Sequence, residues 1–267
     1  MSAGPLAGRR ILITRPRAQA ADLCARLAAL GAEPIVFPTI EITPLEDTAL
    51  LDRAIDQLST YHWIIFTSVN GVAAFGDRLT AAGKDAQALN GIRVAAIGPA
   101  TAKALADRGL QPRFIPDEYI AEAIVEGIGE MSGQHILLPR ADIAREMLAI
   151  ELERRGAVVD EITAYRTLPA APDPTGLTEL RRGVDAITFT SSSTVRNFVA
   201  LMGRDGLSSN TVVACIGPIT ANTARELGFR VDVVATQYTT EGLVQALADH
   251  FSHAKKLPRK NRWALEK

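Results

Sequence analysis

The sequence contains only two cysteines, Cys24 and Cys215, among its 267 residues. Both lie in apolar patterns and cannot form a disulfide framework, so we interpret them as buried free thiols of a protein from a reducing compartment. Aromatic residues make up only 5% of the chain, which disfavours a surface that stacks nucleobases. Twenty-nine basic residues nearly cancel thirty acidic ones, which also disfavours nucleic-acid binding.

Long apolar runs are missing as well. The longest uncharged stretch, 206–224, is interrupted by serine, glycine and proline and is too polar to span a bilayer. The residues before the first strand-like run show no apolar signal segment. We therefore expect a cytoplasmic protein that does not interact with a membrane.

Motifs for cofactors and metals are also absent. The chain has no G-x-G-x-x-G opening a helix, no P-loop and no G-x-S-x-G elbow. Its four histidines are dispersed, and the one close pair, His250 and His253, lacks a third ligand nearby. We expect no metal, no nucleotide cofactor and no strong nucleophile.

Short apolar runs alternate with amphipathic runs along the chain. A helix is predicted over 17–30, where Gly31 ends it. Strands that are apolar on both faces and alternate with helices predict an α/β fold with parallel sheets covered on both sides. The predicted strands are 10–14, 32–37, 63–67, 93–97, 135–138, 158–162, 185–190, 212–216 and 231–234.

The two halves of the chain resemble each other. A segment reading G-x-x-I-L-[IL]-x-R recurs, as do [IT]-F-T-S and I-G-P-x-T-A, and Tyr119 corresponds to Tyr238. With about two domains expected from the length, we predict two similar α/β domains that arose by internal duplication. The matching segments are 8–15 with 133–140, 65–68 with 188–191, and 97–102 with 216–221.

Proline-rich segments follow corresponding parts of the two halves, at 37–44 and 165–174. Extended, proline-rich chain is typical of a linker, so both segments are predicted to cross between domains. The last residues, 253–267, are basic and are predicted to form a disordered tail.

Four strand-to-helix junctions are rich in hydroxyl, amide and glycine residues. Ligands of open parallel sheets bind outside the carboxyl ends of the strands, and helix N-termini there receive anions such as phosphate or carboxylate. The alternative interpretation is simple helix capping by Ser, Thr and Asn. The junctions are 67–71, 98–101, 190–194 and 217–220.

Two arginines, Arg15 and Arg140, end corresponding strands, where a guanidinium can bind a carboxylate through two hydrogen bonds. An ion pair at the rim of the sheet is the alternative. Tyr165 lies at the second crossing and has a hydroxyl proton to donate, although half-buried packing explains many such tyrosines.

Several of these segments together resemble the uroporphyrinogen-III synthase family. The resemblance covers roughly residues 8–249 and depends on the order of individually weak motifs. They are Thr14-Arg15-Pro16, Phe66-Thr67-Ser68-Val69-Asn70-Gly71, the doubled I-G-P-x-T-A, Ala164-Tyr165-Arg166, Phe189-Thr190-Ser191-Ser192-Ser193 and Thr239-Thr240-Glu241-Gly242-Leu243.

The resemblance implies a particular organisation of the domains. Residues 1–37 with 172–252 would form one discontinuous domain and residues 38–171 the other, with the active site in the cleft between them. The repeat alone instead suggests two contiguous halves.

The resemblance also implies a reaction: linear hydroxymethylbilane closes to uroporphyrinogen III with inversion of ring D and loss of water, without a cofactor. Tyr165 matches the tyrosine proposed to protonate the departing hydroxyl group. Ala121 stands where the second half has Thr240, so no hydroxyl role is assigned to it. The expected substrate-binding residues are Arg15, Thr67, Ser68, Asn70, Gly98, Thr101, Arg140, Ser191, Ser192, Gly217, Thr220 and Thr240.

Other functions fit parts of the pattern. A hinged two-domain protein that binds a polycarboxylate without catalysis is the strongest alternative. A glycosyltransferase would need a nucleotide-diphosphate clamp, and a receiver-type regulator would need an acidic cluster, and neither motif is found. We expect a monomer whose substrate is hydroxymethylbilane, with a transient contact to the preceding pathway enzyme.

Overall fold

A computed structural model describes residues 4–256 of the chain, apart from the side chains of residues 204 and 254–256. Within this part, ten strands alternate with ten α-helices, so the α/β class predicted from the sequence is confirmed. The strands are β1 Arg10–Ile13, β2 Glu33–Val36, β3 Ile40–Thr43, β4 Trp63–Phe66, β5 Arg93–Ala96, β6 His135–Ala141, β7 Val158–Pro169, β8 Ala186–Phe189, β9 Val212–Cys215 and β10 Val233–Val234.

The helices fill most of the intervals between the strands. They are α1 Ala21–Ala29, α2 Ala49–Asp56, α3 Val69–Ala81, α4 Pro99–Ala106, α5 Ala121–Gly127, α6 Met147–Arg154, α7 Pro174–Arg181, α8 Ser192–Met202, α9 Pro218–Glu226 and α10 Thr240–Lys256. Short 3₁₀ turns occur at Arg17–Gln19, Leu58–Thr60, Ala86–Leu89 and Arg204–Gly206. None of the helices in residues 4–256 has both the length and the apolar character that a membrane crossing requires.

The chain divides into two compact units, each with a five-stranded sheet. Unit 1 comprises the chain up to Glu41 and from Pro169 onward, and its strand order is β10-β9-β8-β1-β2. Unit 2 is continuous, Ile42–Leu168, with strand order β3-β7-β6-β4-β5.

The sheet of unit 1 is parallel throughout and apolar on both faces. Ile11, Leu12 and Ile13 of β1 are fully buried, with β1 paired to β2 on one side and to β8 on the other. Alternate side chains enter separate cores on opposite faces, as expected for a sheet that lies between two layers of helices. One core contains a group of four aromatic rings: Phe37, Phe189, Phe198 and Phe229.

The sheet of unit 2 also lies between two apolar cores. Strands β5, β4, β6 and β7 pair in parallel, and all four residues of β4 are buried. The two faces again supply two cores, one containing Phe66 and Phe75, the other Trp63 and Ile65.

In each sheet, strands that follow one another in the chain are added first on one side of the starting strand and later on its other side. The place where the two series meet is the reversal point. In unit 1 the reversal lies between β1 and β8, where the Thr14 hydroxyl donates to the Thr188 carbonyl at 2.7 Å and the Thr188 hydroxyl donates to Leu12 at 3.0 Å. In unit 2 it lies between β4 and β6. Loops separate at such points and leave a crevice at the carboxyl edge, where ligands of parallel sheets bind.

The two proline-rich segments contain strand residues, which the sequence interpretation as linkers did not include. The segment 37–44 contains strand β3, and β7 continues through much of 165–174 to Pro169. The two strands are neighbours in the sheet of unit 2. The units divide near residues 41 and 168, whereas the sequence placed boundaries after 37 and 171.

Two ends of helices also differ from expectation. The helix predicted over 17–30 begins with a 3₁₀ turn, and regular α1 starts only at Ala21. Helix α10 continues to Lys256, so the predicted tail starts too early. The rest of that tail, residues 257–267, lies outside the described residues.

The ring of Phe198 should be one of the strongest stabilising groups of unit 1. It is fully buried, with its centroid 5.7 Å from that of Phe189 and 6.2 Å from that of Phe37. We expect Phe198→Ala to lower the free energy of unfolding by about 3–5 kcal/mol, measured by urea denaturation. Leu50→Ala, at a side chain 62% exposed, is the control and should change it by about 0.5 kcal/mol or less. A loss from Phe198→Ala as small as that of the control would contradict this packing.

Candidate active site

The polar residues selected from the sequence lie at the carboxyl ends of parallel strands, in two separate sets. Parallel pairing brings these strand ends to one edge in each unit. The set of unit 1 is Arg15, Ser191, Ser192, Gly217, Thr220 and Thr240, and that of unit 2 is Thr67, Ser68, Asn70, Gly98, Thr101, Arg140 and Tyr165.

Two of the four junctions are closed by their own serine. Ser68 caps α3 by accepting a hydrogen bond from the Gly71 N–H at 2.9 Å. Ser191 caps α8 by accepting from the Thr194 N–H, while the Thr194 hydroxyl interacts with the backbone of Ser191 in a capping box. The simple capping interpretation therefore holds for these two serine side chains.

The other two junctions have no side-chain cap. Gly98 and Gly217 are the N-caps of α4 and α9, and a proline follows each of them. Since glycine has no side chain to accept a hydrogen bond, N–H groups of the first helical turn stay open toward a ligand. Both helix dipoles favour a negative charge at this position.

A buried threonine occupies the third helical position at each open junction. Thr101 is 4% exposed and Thr220 is 5% exposed. Among residues 4–256, neither hydroxyl has a hydrogen-bond partner. The two open junctions thus each combine backbone N–H donors with a hydroxyl that is available to an anion.

A tyrosine ring packs closely against the glycine at each open junction. A Cβ atom on Gly98 would lie 3.0 Å from Cγ of Tyr119, and one on Gly217 would lie 3.2 Å from Cγ of Tyr238. In the sequence, Tyr119 and Tyr238 stand out only as corresponding residues of the repeat. The signal that could have predicted both tyrosines as site residues is their matching position after the two I-G-P segments.

Arg15 stands at the reversal point of unit 1, where Thr14 separates it from the end of β1 at Ile13. Its guanidinium is half-buried, and among residues 4–256 it makes no hydrogen bond and no ion pair within 4.0 Å. Burial lowers the pKa of Arg15, and the charge of Asp22 partly offsets this effect. The group stays protonated, because arginine does not lose its proton in proteins. An unpaired, partly buried cation is a strong candidate for binding a carboxylate.

Other predicted donors are occupied within the protein. The Thr240 hydroxyl donates to Asp22 Oδ2 at 2.8 Å and so joins α10 to α1. The Ser192 hydroxyl lies 2.7 Å from that of Thr223. Thr67 is half-buried between β4 and the cap Ser68. The hydroxyls of Thr240 and Ser192 are therefore less available than those of the two open threonines.

Tyr165 lies in β7 at the same edge as Ser68. Its hydroxyl is 3.0 Å from Ser68 Oγ and also interacts with the Asn70 side chain, and the residue is 6% exposed. Burial raises the pKa of Tyr165. The hydrogen bonds with Ser68 and Asn70 and the positive charge of Arg140 oppose the rise, whereas Asp142 adds to it. The phenol is therefore neutral at physiological pH and holds a proton it can donate.

The predicted carboxylate clamp at Arg140 is not available to a ligand. Arg140 is 6% exposed, and its Nη1 donates to Glu161 Oε1 at 2.8 Å and its Nη2 to the Arg145 carbonyl at 2.6 Å. The cavity beside it is also lined by Asp142, Glu146, Glu153 and Glu161, which repel an anion. This arginine differs from Arg15 because it already has a carboxylate partner.

Metal binding has no evident support in the described part of the chain. Among residues 4–256 there is no group of three or more His, Cys, Asp and Glu side chains placed to hold a metal ion. The two edges supply hydrogen-bond donors, the Arg15 cation and the protonated phenol of Tyr165.

Together these features define an α/β protein whose strand ends present donors for an anionic ligand. Comparison with known proteins is more specific. The family model described as uroporphyrinogen-III synthase HemD matches residues 21–245. A uroporphyrinogen-III synthase of Synechococcus elongatus is 38% identical over 257 residues, covering 92% of this chain and 97% of that relative. The chain belongs to the uroporphyrinogen-III synthase family, as its motifs suggested.

Solved structures show the same fold. A mutant uroporphyrinogen III synthase of the extremely thermophilic bacterium Thermus thermophilus matches with a TM-score of 0.66 and 22% identity, covering 92% of this chain and 100% of that one. The enzyme of Helicobacter pylori matches with a TM-score of 0.57 and 20% identity, covering 90% and 99% of the two chains.

Proposed function

We propose that this chain converts linear hydroxymethylbilane to uroporphyrinogen III, with inversion of ring D and loss of water, in tetrapyrrole biosynthesis. Membership of the family supports this activity, a cofactor-independent lyase reaction. The observation that supports it best within the molecule is Arg15, an unpaired cation at the reversal point of the unit 1 sheet. The alternative of a binding protein without catalysis is not favoured.

The reaction requires little from the protein beyond positioning and one proton. The pyrrole nitrogen of the first ring supplies electrons as the hydroxyl group leaves, which gives an azafulvenium cation. Ring D attacks through its substituted carbon, and the resulting spiro intermediate fragments and closes again with loss of a proton. Holding a flexible substrate in the reactive arrangement can lower the barrier by up to about 7–11 kcal/mol.

The substrate carries eight carboxylates, and the donors of both units suit them. Arg15 would bind one carboxylate directly, and the open junctions at Gly98 and Gly217 would bind others through N–H groups and the Thr101 and Thr220 hydroxyls. A near-neutral chain can hold such a polyanion because its donors are concentrated at the strand ends.

Several finer features are part of the same proposal. Each unit carries its own set of donors at the carboxyl edge of its sheet, and both sets belong to the proposed substrate-binding residues. Duplication is supported by the matching open junctions of α4 and α9. The cytoplasmic location, the monomeric state and a contact with the preceding pathway enzyme are proposed from the sequence.

The decisive experiment is chromatographic analysis of the porphyrin isomers formed when fresh hydroxymethylbilane is mixed with the purified protein. Uncatalysed closure gives isomer I, so every reaction contains its own reference. We expect mainly isomer III at a rate well above the background. Only isomer I at the background rate, from protein shown to be folded by circular dichroism, would refute the activity and favour the binding protein.

Replacing Arg15 should weaken substrate binding. A hydrogen-bonded charge pair contributes about 1.5–3 kcal/mol, so we expect Arg15→Gln to raise KM roughly ten- to hundredfold. Arg15→Lys should lie between the parent and Gln, because lysine keeps the charge but loses the two-pronged geometry. Arg17→Gln is the matched control, since Arg17 is exposed and paired to Asp173 at 3.0 Å. An unchanged KM in Arg15→Gln would show that this cation does not bind substrate.

Removing the Tyr165 hydroxyl should slow turnover without changing the isomer. General acids contribute on the order of 10²-fold or more, so we expect Tyr165→Phe to lower kcat by roughly that factor. The product should remain isomer III, because positioning of ring D does not depend on the proton. Tyr61→Phe is the control: Tyr61 is a buried tyrosine of the same unit that donates to Asp160 at 2.5 Å. Turnover equal to that of the parent would exclude Tyr165 as the acid.

A further inference from the structure

A tyrosine ring lies beside each of the two open junctions. Tyr119 packs against Gly98 and Tyr238 packs against Gly217, close enough that a Cβ atom on either glycine would crowd the ring. Both tyrosines are half-buried, so part of each side chain stays exposed to solvent. Neither side chain belongs to the donor set described above, yet both are placed to contact a ligand that is bound at the junction.

The two tyrosines reach the junctions by equivalent routes. In unit 1, Tyr238 follows β10, which pairs in parallel with β9. In unit 2, Tyr119 follows Phe114, which forms an isolated parallel bridge to Ala95 of β5. Parallel pairing therefore brings each tyrosine to the carboxyl edge of its own sheet, where the open junction of the neighbouring strand also lies.

Each junction offers an anion two N–H groups and one hydroxyl. At α4, the N–H groups of Ala100 and Thr101 precede the first helical hydrogen bond, which runs from the Ala102 N–H to the Gly98 carbonyl at 2.9 Å. Helix α9 begins in the same way. Helical side chains lean toward the N-terminus, so the threonine hydroxyl at the third position points toward this turn. Among residues 4–256 the hydroxyls of Thr101 and Thr220 have no partner and are not fully covered, although these residues are only 4% and 5% exposed.

The substrate of the proposed reaction connects such an anion site to an aromatic ring. Each carboxylate of a linear bilane sits on a short side chain of one pyrrole ring. A carboxylate bound at the first turn of α4 or α9 therefore holds its pyrrole ring close to the tyrosine that packs against the N-cap glycine. Aromatic rings in contact attract each other in offset or edge-to-face arrangements. Tyrosine suits this contact because its side chain is rigid, with only two rotatable bonds before the hydroxyl.

We propose that Tyr119 and Tyr238 are specificity-determining residues: each contacts the pyrrole ring whose carboxylate occupies the neighbouring open junction, and so fixes the orientation of that ring. A pyrrole held only by its carboxylate can still turn about the bonds of its side chain. The ring contact removes this freedom, which matters because the product isomer depends on the carbon through which ring D attacks. The inference rests on the proposed function and adds the class of group that the junctions recognise, a carboxylate borne by a flat aromatic ring.

The first test detects the ring contact without catalysis. The chain has four tyrosines, so labelling the full-length protein with 3-fluorotyrosine gives four ¹⁹F signals, and Tyr119→Phe and Tyr238→Phe identify two of them. The probe is pyrrole-3-acetate, and acetate is the control with the same charge and no ring. At about 10 mM, a ligand with a Kd of about 1 mM occupies roughly nine-tenths of its sites. We expect pyrrole-3-acetate to shift both signals and acetate to shift them much less.

The Tyr61 signal is the internal reference. Tyr61 is buried and precedes β4, so it lies at the amino end of that strand, away from the open junctions. Equal shifts from pyrrole-3-acetate and acetate would show that the junctions recognise only the anion, and would overturn the proposal. No shift of either junction tyrosine, or an equal shift of Tyr61, would also overturn it. A shift of one junction tyrosine alone would overturn the proposal for the other.

Kinetics then connect the ring contact to the reaction. We expect Tyr119→Leu and Tyr238→Leu each to raise KM about three- to tenfold, because leucine stays apolar but loses the aromatic face. Tyr119→Phe and Tyr238→Phe should stay within about twofold of the parent, since the ring makes the contact. Glu118→Gln and Gln237→Ala are the controls, at exposed side chains next to the two tyrosines, and should change KM less than about twofold.

The isomer ratio gives a readout that loss of folding would not imitate. Each Leu variant should form isomer I faster than uncatalysed closure does, because a pyrrole ring that is free to turn presents the wrong carbon. Leu variants with the KM and isomer ratio of the parent would overturn the proposal, and so would Phe variants as impaired as the Leu variants. The isomer assay of the parent decides the proposed function separately, since the ¹⁹F shifts report the ring contact whether or not the protein turns over.

Discussion

Parallel pairing of short strands that are buried on both faces is the constraint from which the candidate site follows. Such strands need helices on both faces, and each connection returns the chain to the same end of the sheet. The carboxyl ends of β1, β8 and β9 therefore meet at one edge of unit 1, and those of β4, β5, β6 and β7 at one edge of unit 2. The polar residues gather at these edges because the cores exclude them elsewhere.

The N-cap residue decides whether the N–H groups at a strand-to-helix junction are available to a ligand. Serine at positions 68 and 191 satisfies the first helical turn internally and fixes the direction of the helix. Glycine at positions 98 and 217 leaves the turn open and permits a tyrosine ring to pack against it. Two closed and two open junctions give the molecule rigid edges that still have donors for an anion.

The sequence predicted the fold class and family well, because both depend on local patterns. Apolar runs such as 63–67 identified most strands within a residue or two, but β6 and β7 continue to Ala141 and Pro169, well beyond the predicted ends at 138 and 162. Strand β3 was missed because Pro38 and Pro44 suggested a linker, although Ile40 and Ile42 alternate with polar residues as in a strand buried on one face. The bonds of Arg140 could not be predicted, since its partner Glu161 lies on the neighbouring strand and spacing along the chain does not reveal a register shift.

The two units differ in when they can be completed during synthesis. Unit 2 is one continuous segment, so all of its strands are present once Leu168 has left the ribosome. Unit 1 pairs Ile11 with Ala186, a contact that closes only after the whole of unit 2 has been made. Bringing β1 and β8 together costs less conformational entropy when the segment between them is already compact than when that segment is a flexible chain. Co-translational folding of unit 2 would thus speed the pairing of β1 with β8. A substitution that slows the folding of unit 2 would delay the completion of both units.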